Sequence, residues 1–75
     1  MPDLSDPAVI EDIFTYHRPE GDQPAKYEAI RNAAKDFAKV LVANTPKCAD
    51  QSAAVRLLRE AVMTANAAIA LKGSV

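Results

Sequence analysis

The sequence lacks the disulfides and metal sites that commonly stabilise small domains. It contains one cysteine, Cys48, and one histidine, His17, so it can form no internal disulfide and offers too few nitrogen and sulfur ligands for a structural zinc site. Without such cross-links, a single chain of 75 residues buries so little apolar surface that it is only marginally stable by itself. We therefore expect copies of the chain to associate.

Long apolar runs and an excess of one charge are also absent. No apolar stretch approaches the roughly 20 residues of a membrane span, and the opening MPDLSDPAVIEDIF has four acids and no base, unlike a secretory signal. The formal net charge is −1, with both signs interspersed, so nothing indicates a polycation that binds duplex DNA. We expect a cytoplasmic protein with neither membrane nor DNA as a partner.

Glycine is scarce, with two residues, and no stretch alternates between apolar and polar side chains as a half-buried strand does. Alanine, the strongest helix former, occurs fifteen times. The composition therefore predicts an all-α fold.

Turn and cap residues divide the single domain, 1–75, into a short N-terminal helix with a loop over 1–22, a helix over 23–44 and a helix over 48–72. Ser5 or Asp6 can cap the first helix, and Asp22 can cap the second after the proline-containing segment HRPEGDQP. Pro46 ends the second helix because the residue before a proline avoids helical geometry. A long antiparallel helical hairpin results.

Each long helix has an apolar seam at spacings of three and four. In the first it comprises Tyr27, Ile30, Ala34, Phe37 and Leu41, and in the second Val55, Leu58, Val62, Ala65 and Ile69. A second, alanine-rich stripe lies beside the latter and contains Ala54, Ala61 and Ala68. Small side chains allow helices to approach closely, so we expect this stripe to meet a helix of another protomer.

No residue set is typical of catalysis. Cys48 and His17 would pair only if the fold happened to join them, and Cys48 stands where a helix N-cap is expected. The carboxylates of Glu11, Asp12 and Glu20 are explained by solvation or capping. We expect a protein that is not an enzyme and uses neither metal nor cofactor.

The segment FTYHRP, residues 14–19, raises a different expectation, because polar side chains flank the loop that follows it. They are Tyr16, His17 and Arg18 before the loop, and Lys26, Tyr27 and Arg31 after it. Aromatic rings stack on nucleobases, while lysine, arginine and the N–H groups at a helix start bind phosphate. This combination suits a small nucleotide.

A purely structural role for the same residues stays open. Tyr27 lies on the apolar seam and can serve as core, while Lys26 and Arg31 can be solvated helix positions. His17 can cap a helix or bond the backbone, and as a nearly neutral group it is a poor anchor for phosphate.

Three stretches together are more specific: FTYHRP at 14–19, QPAKYEAIRNAAKDFA at 23–38 and LREAVMTANAAIA at 58–70. With the corner NTPKCADQ at 44–51, they cover nearly the whole chain. In these stretches the chain resembles the phage-encoded family of cyclic-oligonucleotide sponges. These small helical-hairpin proteins block CBASS and, in some relatives, Thoeris signalling against phages.

The resemblance implies assembly through dimers into homohexamers that bind cyclic dinucleotides, such as 3′,3′-cGAMP, in the host bacterial cytoplasm without cleaving them. It makes Tyr16 the residue that stacks on a base and Arg31, with Lys26 as its rival, the phosphate contact. His17 and Tyr27 belong to the same set of candidates.

Some members of that family also bind cyclic trinucleotides where three protomers meet. The family's ANAAIAR-type ending reads AIALK here, so Lys72 alone supplies positive charge near that end, and Thr64 and Cys48 also depart from the pattern. The alternative to a sponge is a protein-interaction module whose alanine-rich stripe grips a partner helix.

Overall fold

The computed structural model describes residues 3–74 and contains three helices. They are Pro7–Phe14 (α1), Gln23–Asn44 (α2) and Ala49–Ala70 (α3), and residues 3–74 include no strand. Gln23 bonds Ile69, whereas Gln51 bonds Val42, so α2 and α3 run antiparallel. The predicted all-α hairpin is therefore confirmed. Met1, Pro2 and Val75, which belong to the predicted opening segment and to the tail, lie outside the described residues.

α1 begins at a conventional cap. The carboxylate of Asp6 accepts a hydrogen bond from the Ala8 N–H at 2.9 Å, and Pro7 occupies the first helical position, where an N–H would have no helical partner. The helix ends at Phe14, after which the Thr15 hydroxyl donates to the Glu11 carbonyl at 2.6 Å.

Neither long helix has a side-chain cap at its start. Asp22 is the N-cap residue of α2, as predicted, but its carboxylate bonds no backbone N–H and pairs instead with Lys26 Nζ at 3.1 Å. Cys48 is the N-cap residue of α3 and likewise makes no side-chain cap bond.

The corner between α2 and α3 is held by one amide. Gln51 Nε2 donates to the carbonyl oxygens of Val42 at 3.3 Å and Thr45 at 3.2 Å, and it lies 3.1 Å from Thr45 Oγ1. These bonds satisfy carbonyls that the end of α2 leaves without helical partners.

The seam of α2 differs from the prediction at one position. Its half-buried residues include Tyr27, Ile30, Ala34, Ala38 and Leu41, whereas the side chain of Phe37 is 53% exposed. The prediction of Phe37 as a seam residue is wrong because it assumed strict alternation of three and four, a period of 3.5. A straight helix with 3.6 residues per turn drifts away from that register. On α3, all five predicted seam positions are half-buried.

One protomer has almost no fully buried core. Leu71, at 8% exposure, is the only buried apolar residue among those described. The accessible surface is 5916 Å², whereas a compact 8.1 kDa protein exposes about 4,500 Å². The radius of gyration, 15.5 Å, likewise exceeds the roughly 11 Å of a compact chain of this length. The isolated hairpin is an elongated body with unusually exposed apolar surface.

Candidate functional site

A hydrogen bond from His17 fixes the extended segment that follows α1. His17 Nε2 lies 2.7 Å from the carbonyl oxygen of Asp12 and 3.5 Å from its Oδ1. Because a carbonyl oxygen only accepts, Nε2 carries the proton in this contact. The ring of the neighbouring residue, Tyr16, stays 83% exposed. His17 thus makes the kind of backbone hydrogen bond that its structural alternative expected, and the neighbouring ring of Tyr16 is accessible to a ligand.

The segment that follows α3 approaches the same helix. Ser74 Oγ donates to Asp12 Oδ2 at 3.4 Å. Both contacts of Asp12 lie at the open end of the hairpin, where α2 begins and α3 ends. This open end carries most of the predicted site residues.

A groove at the open end brings the two tyrosines together. We call it the tyrosine groove. It is about 390 Å³ in volume, within the usual range for small-molecule sites, and is lined by Ile13, Thr15, Tyr16, His17, Pro19, Tyr27, Asn66, Ala67, Ala70 and Leu71. Tyr27 is half-buried in its wall and Tyr16 stands at its exposed edge. The groove thus combines apolar and aromatic walls with a few polar groups.

Asn66 is the polar residue that the sequence interpretation missed. Its Oδ1 is buried without a hydrogen-bond partner among the described residues, which is costly for an amide. The sequence did contain a sign of this residue's role. Asparagine is a weak helix former, so its presence within the alanine-rich run TANAAIA indicates a reason other than helix formation. Asn66 also lines the tyrosine groove.

Two lysines flank the same end of the hairpin. Lys72 Nζ lies 3.0 Å from Glu20 Oε2, and Lys26 Nζ lies 3.1 Å from Asp22 Oδ2. Both lysines line an open groove of about 550 Å³ that also contains Gln23. Exposed ion pairs of this kind contribute about 0–1 kcal/mol, so a phosphate can replace either carboxylate at small cost.

Lys72 occupies a strained backbone position. Its φ is 54°, in the left-handed region that side chains other than glycine avoid. The Gly73 N–H donates to the Ala68 carbonyl and the Lys72 N–H to the Ile69 carbonyl, which together form a Schellman cap. Lys72 is the residue directly after the cap, and Gly73, which follows it, also has a positive φ, of 78°. Strain at such a position often marks a functional residue.

Lys72 also approaches Tyr16. These two residues, with His17, Arg18 and Glu20, line a smaller groove of about 250 Å³ beside the tyrosine groove. An anion bound there would meet two cationic side chains and an aromatic ring, and it would have to displace the Glu20 carboxylate from Lys72.

Arg31 lies apart from these residues in one protomer. It lines a different groove, between the middle parts of α2 and α3, together with Lys35 and Arg59. The structure therefore gathers Tyr16, His17, Tyr27, Lys26 and Lys72 at the open end, and it places Arg31 one helical turn beyond Tyr27.

The described part of the chain contains no Cys–His dyad, no cluster of metal ligands and no membrane-spanning helix. His17 lies at the open end and Cys48 at the opposite corner, so they form no dyad. Residues 3–74 contain no cluster of three or more potential metal ligands from histidine, cysteine or carboxylates. None of the helices in that range has the length and apolar character needed to cross a bilayer. The pKa of the Asp3 carboxyl is lowered by hydrogen bonds from the Ser5 hydroxyl and N–H, outside the grooves described.

Comparison with known proteins identifies the family. The family model described as "Acb2/Tad1, hairpin domain" matches residues 6–70, which include all three helices. Comparisons with curated proteins and with solved structures gave no match. The family is associated with sequestration of cyclic oligonucleotides and is a binding domain, with no known enzyme class. The chain belongs to the Acb2/Tad1 hairpin-domain family, the phage sponges directed against CBASS and Thoeris defence.

Proposed function

We propose that this protein sequesters cyclic dinucleotides such as 3′,3′-cGAMP, without cleaving them, in the cytoplasm of an infected bacterium. The phage that encodes it would thereby evade CBASS. The observation that carries the proposal is the tyrosine groove, where Tyr16 and Tyr27 line one cavity of about 390 Å³ at the end of the hairpin that carries Lys26 and Lys72.

The groove offers the contacts that such a ligand needs. Tyr16 provides an exposed ring on which a nucleobase can stack, since stacking tolerates any base. Asn66, which lines the groove, offers a side-chain amide for hydrogen bonds to a base edge or ribose. Lys26, in the first turn of α2, can contact a phosphate, with Arg31 as the rival for that contact.

Sequestration requires tight binding because each site holds only one messenger molecule. A Kd in the nanomolar range corresponds to about −12 kcal/mol. The tyrosine groove of one protomer is open on one side, and its outer ring, Tyr16, is 83% exposed. A pocket between two copies would enclose a two-fold symmetric ligand with two such rings and two cations.

Self-association is therefore part of the proposal. The surface of one protomer exceeds that of a compact protein by about 1,400 Å², more than the roughly 800 Å² that each partner buries in a standard interface. Ala61 and Ala68 are exposed on α3, and they let a helix of a second copy approach closely. We propose dimers that assemble into a homohexamer.

A cyclic trinucleotide is a second candidate ligand for the assembly. The groove that contains Arg18 and Lys72 adjoins the tyrosine groove, with which it shares Tyr16, and it has positive side chains of its own. The strained backbone at Lys72 is consistent with a role for its ammonium group there.

A protein-interaction module is the alternative function, in which the exposed alanines grip a host or phage helix and the tyrosine groove holds no ligand. One experiment separates these functions from each other and from an enzyme. Purified protein is incubated with 3′,3′-cGAMP, the free messenger is measured, and the protein is then denatured by heat. The sponge removes free messenger and releases it intact. Degraded product would indicate a nuclease, and undiminished free messenger would favour the interaction module.

A further inference from the structure

The groove around Arg31 differs in character from the tyrosine groove. We call it the mid-hairpin groove. It has a volume of about 270 Å³, and its floor is formed by Ala34, Ala38, Val55, Leu58 and Val62. This exceeds the roughly 150 Å³ of a cavity that holds a benzene ring. The mid-hairpin groove can therefore accept a large apolar side chain.

The rim of the mid-hairpin groove is cationic. Arg31, Lys35 and Arg59 line it, and none of the three forms an ion pair with a described residue. Among the described residues, no acidic side chain lines this groove. An occupant with an apolar ridge and negative charges beside it would fit both the floor and the rim.

α1 has a face of this kind. Val9 and Ile13 are half-buried, and Ile13 lines the tyrosine groove of its own protomer. Ile10 and Phe14, four residues apart and therefore on one side of the helix, are 39% and 82% exposed. The exposed pair thus faces away from the hairpin that α1 belongs to.

The charges on α1 complement the groove. Residues 6–14 contain Asp6, Glu11 and Asp12 but no basic residue. Asp6 precedes Ile10 by four positions and Glu11 precedes Phe14 by three, so both acids flank the exposed apolar pair. The helix therefore presents an apolar ridge bordered by carboxylates, opposite in charge to the groove rim.

α1 does not occupy the groove of its own protomer. It lies at the open end of the hairpin, where Ile13 lines the tyrosine groove and Asp12 Oδ2 is 3.4 Å from Ser74 Oγ. The floor of the groove begins at Ala34, 11 residues into α2, which is about 16 Å along the helix axis. Among the described residues, only α2 and α3 form an extensive helix contact, so the outer face of α1 is left without a partner.

We infer that α1 of one copy docks in the mid-hairpin groove of a second copy. Phe14 and Ile10 enter the apolar floor, and Glu11 lies against Arg59 on the rim. This inference rests on the self-association proposed above and assigns one interface of that assembly. The docking also links assembly to the tyrosine groove, because Tyr16 follows the end of α1 by two residues.

Charge exchange between chains tests the docking. Glu11→Arg and Arg59→Glu each place like charges together, and each variant alone is expected to lose the wild-type mass in light scattering coupled to gel filtration. An equimolar mixture of the two is expected to recover that mass, because every α1 then docks on a groove of opposite charge in the other variant's chain. Arg56→Glu, on the same helix but outside the groove, is the matched control and keeps the wild-type mass.

A second pair of variants tests the apolar part. Phe14→Ala should lower the mass, because its ring is exposed in the protomer and is buried only by docking. Leu57→Ala, at a residue 62% exposed on α3 and outside the groove, should leave the mass unchanged. Circular dichroism checks that each variant keeps the helical content of the wild type.

The outcomes separate the docking from the proposed function. If Glu11→Arg, Arg59→Glu and Phe14→Ala all keep the wild-type mass, the docking is wrong while self-association stands. Failure of the mixture to recover the mass would also overturn it, because the two charges would then not meet between chains. A monomeric wild type would overturn both the assembly and the docking.

Discussion

Replacing Tyr16 by alanine gives the sharpest test of the site. The ring is 83% exposed in the protomer, so its loss should change the free energy of unfolding of the protomer by no more than about 0.5 kcal/mol, as is usual at exposed positions. A ring that stacks on a base contributes about 1–3 kcal/mol to binding, which corresponds to a roughly 5- to 150-fold increase in Kd for each ring.

A pocket between two copies doubles this effect. Each ligand would lose two stacked rings, one from each protomer, and the total loss becomes about 2–6 kcal/mol. Titration calorimetry with 3′,3′-cGAMP measures the loss directly. An unchanged Kd for Tyr16→Ala would refute the stacking role.

Tyr16→Phe is the matched control. It keeps the aromatic face and removes only the hydroxyl, so its Kd should stay close to that of the wild type. A large loss with phenylalanine would show that the hydroxyl, rather than the ring face, carries the interaction. Thermal unfolding of both variants should match the wild type, which separates binding from folding.

Four further predictions concern the rest of the molecule. Arg31→Ala and Lys26→Ala show which residue contacts phosphate. The variant that lacks the contact should bind 3′,3′-cGAMP more weakly by about 1.5–3 kcal/mol in calorimetry, while its circular dichroism stays that of the wild type. A loss of helicity would instead show that the residue is structural. Ala61→Glu should give smaller species by light scattering, and an unchanged mass would mean that the alanine stripe is not an interface. Lys72→Asn removes the positive charge but keeps a residue that tolerates a left-handed backbone. It should therefore weaken cyclic-trinucleotide binding and leave the melting temperature unchanged. Equal affinity would show that Lys72 does not contact the trinucleotide. Gln51→Ala removes the corner hydrogen bonds and should destabilise the fold by about 1 kcal/mol in urea unfolding, and no change would mean that water replaces the amide.

Much of the fold was predictable because it follows from local chemistry. Asp6, Pro7 and Pro46 act within a few residues of their own positions, so helix starts and the corner can be inferred from neighbouring letters. The exposure of Phe37 could not be predicted in this way, because positions 37 and 38 fit a helical period almost equally well. Which of the two faces α3 depends on how the two helices pack against each other. Gln51 was missed for a similar reason, because its partners become neighbours only after the corner has formed.

The candidate site was predictable in its residue types more than in its geometry. Tyr16 and Lys26 stood out as polar side chains around a loop, whereas Asn66 joins Tyr16 from 50 positions away only through the antiparallel pairing of α2 and α3. That Arg31 lines a different groove from Tyr16 within one protomer also depends on tertiary structure. The left-handed backbone at Lys72 depends on how α3 ends, and the residue types around position 72 do not determine it.

The stoichiometry and affinity of 3′,3′-cGAMP binding test the central claim most directly. A symmetric pocket shared by two copies predicts one ligand per two protomers, with a Kd in the nanomolar range, about −12 kcal/mol, measured by titration calorimetry on protein whose mass is determined by light scattering. Absence of binding at micromolar concentrations of both components would contradict sequestration. One ligand bound per monomeric chain would contradict the shared pocket.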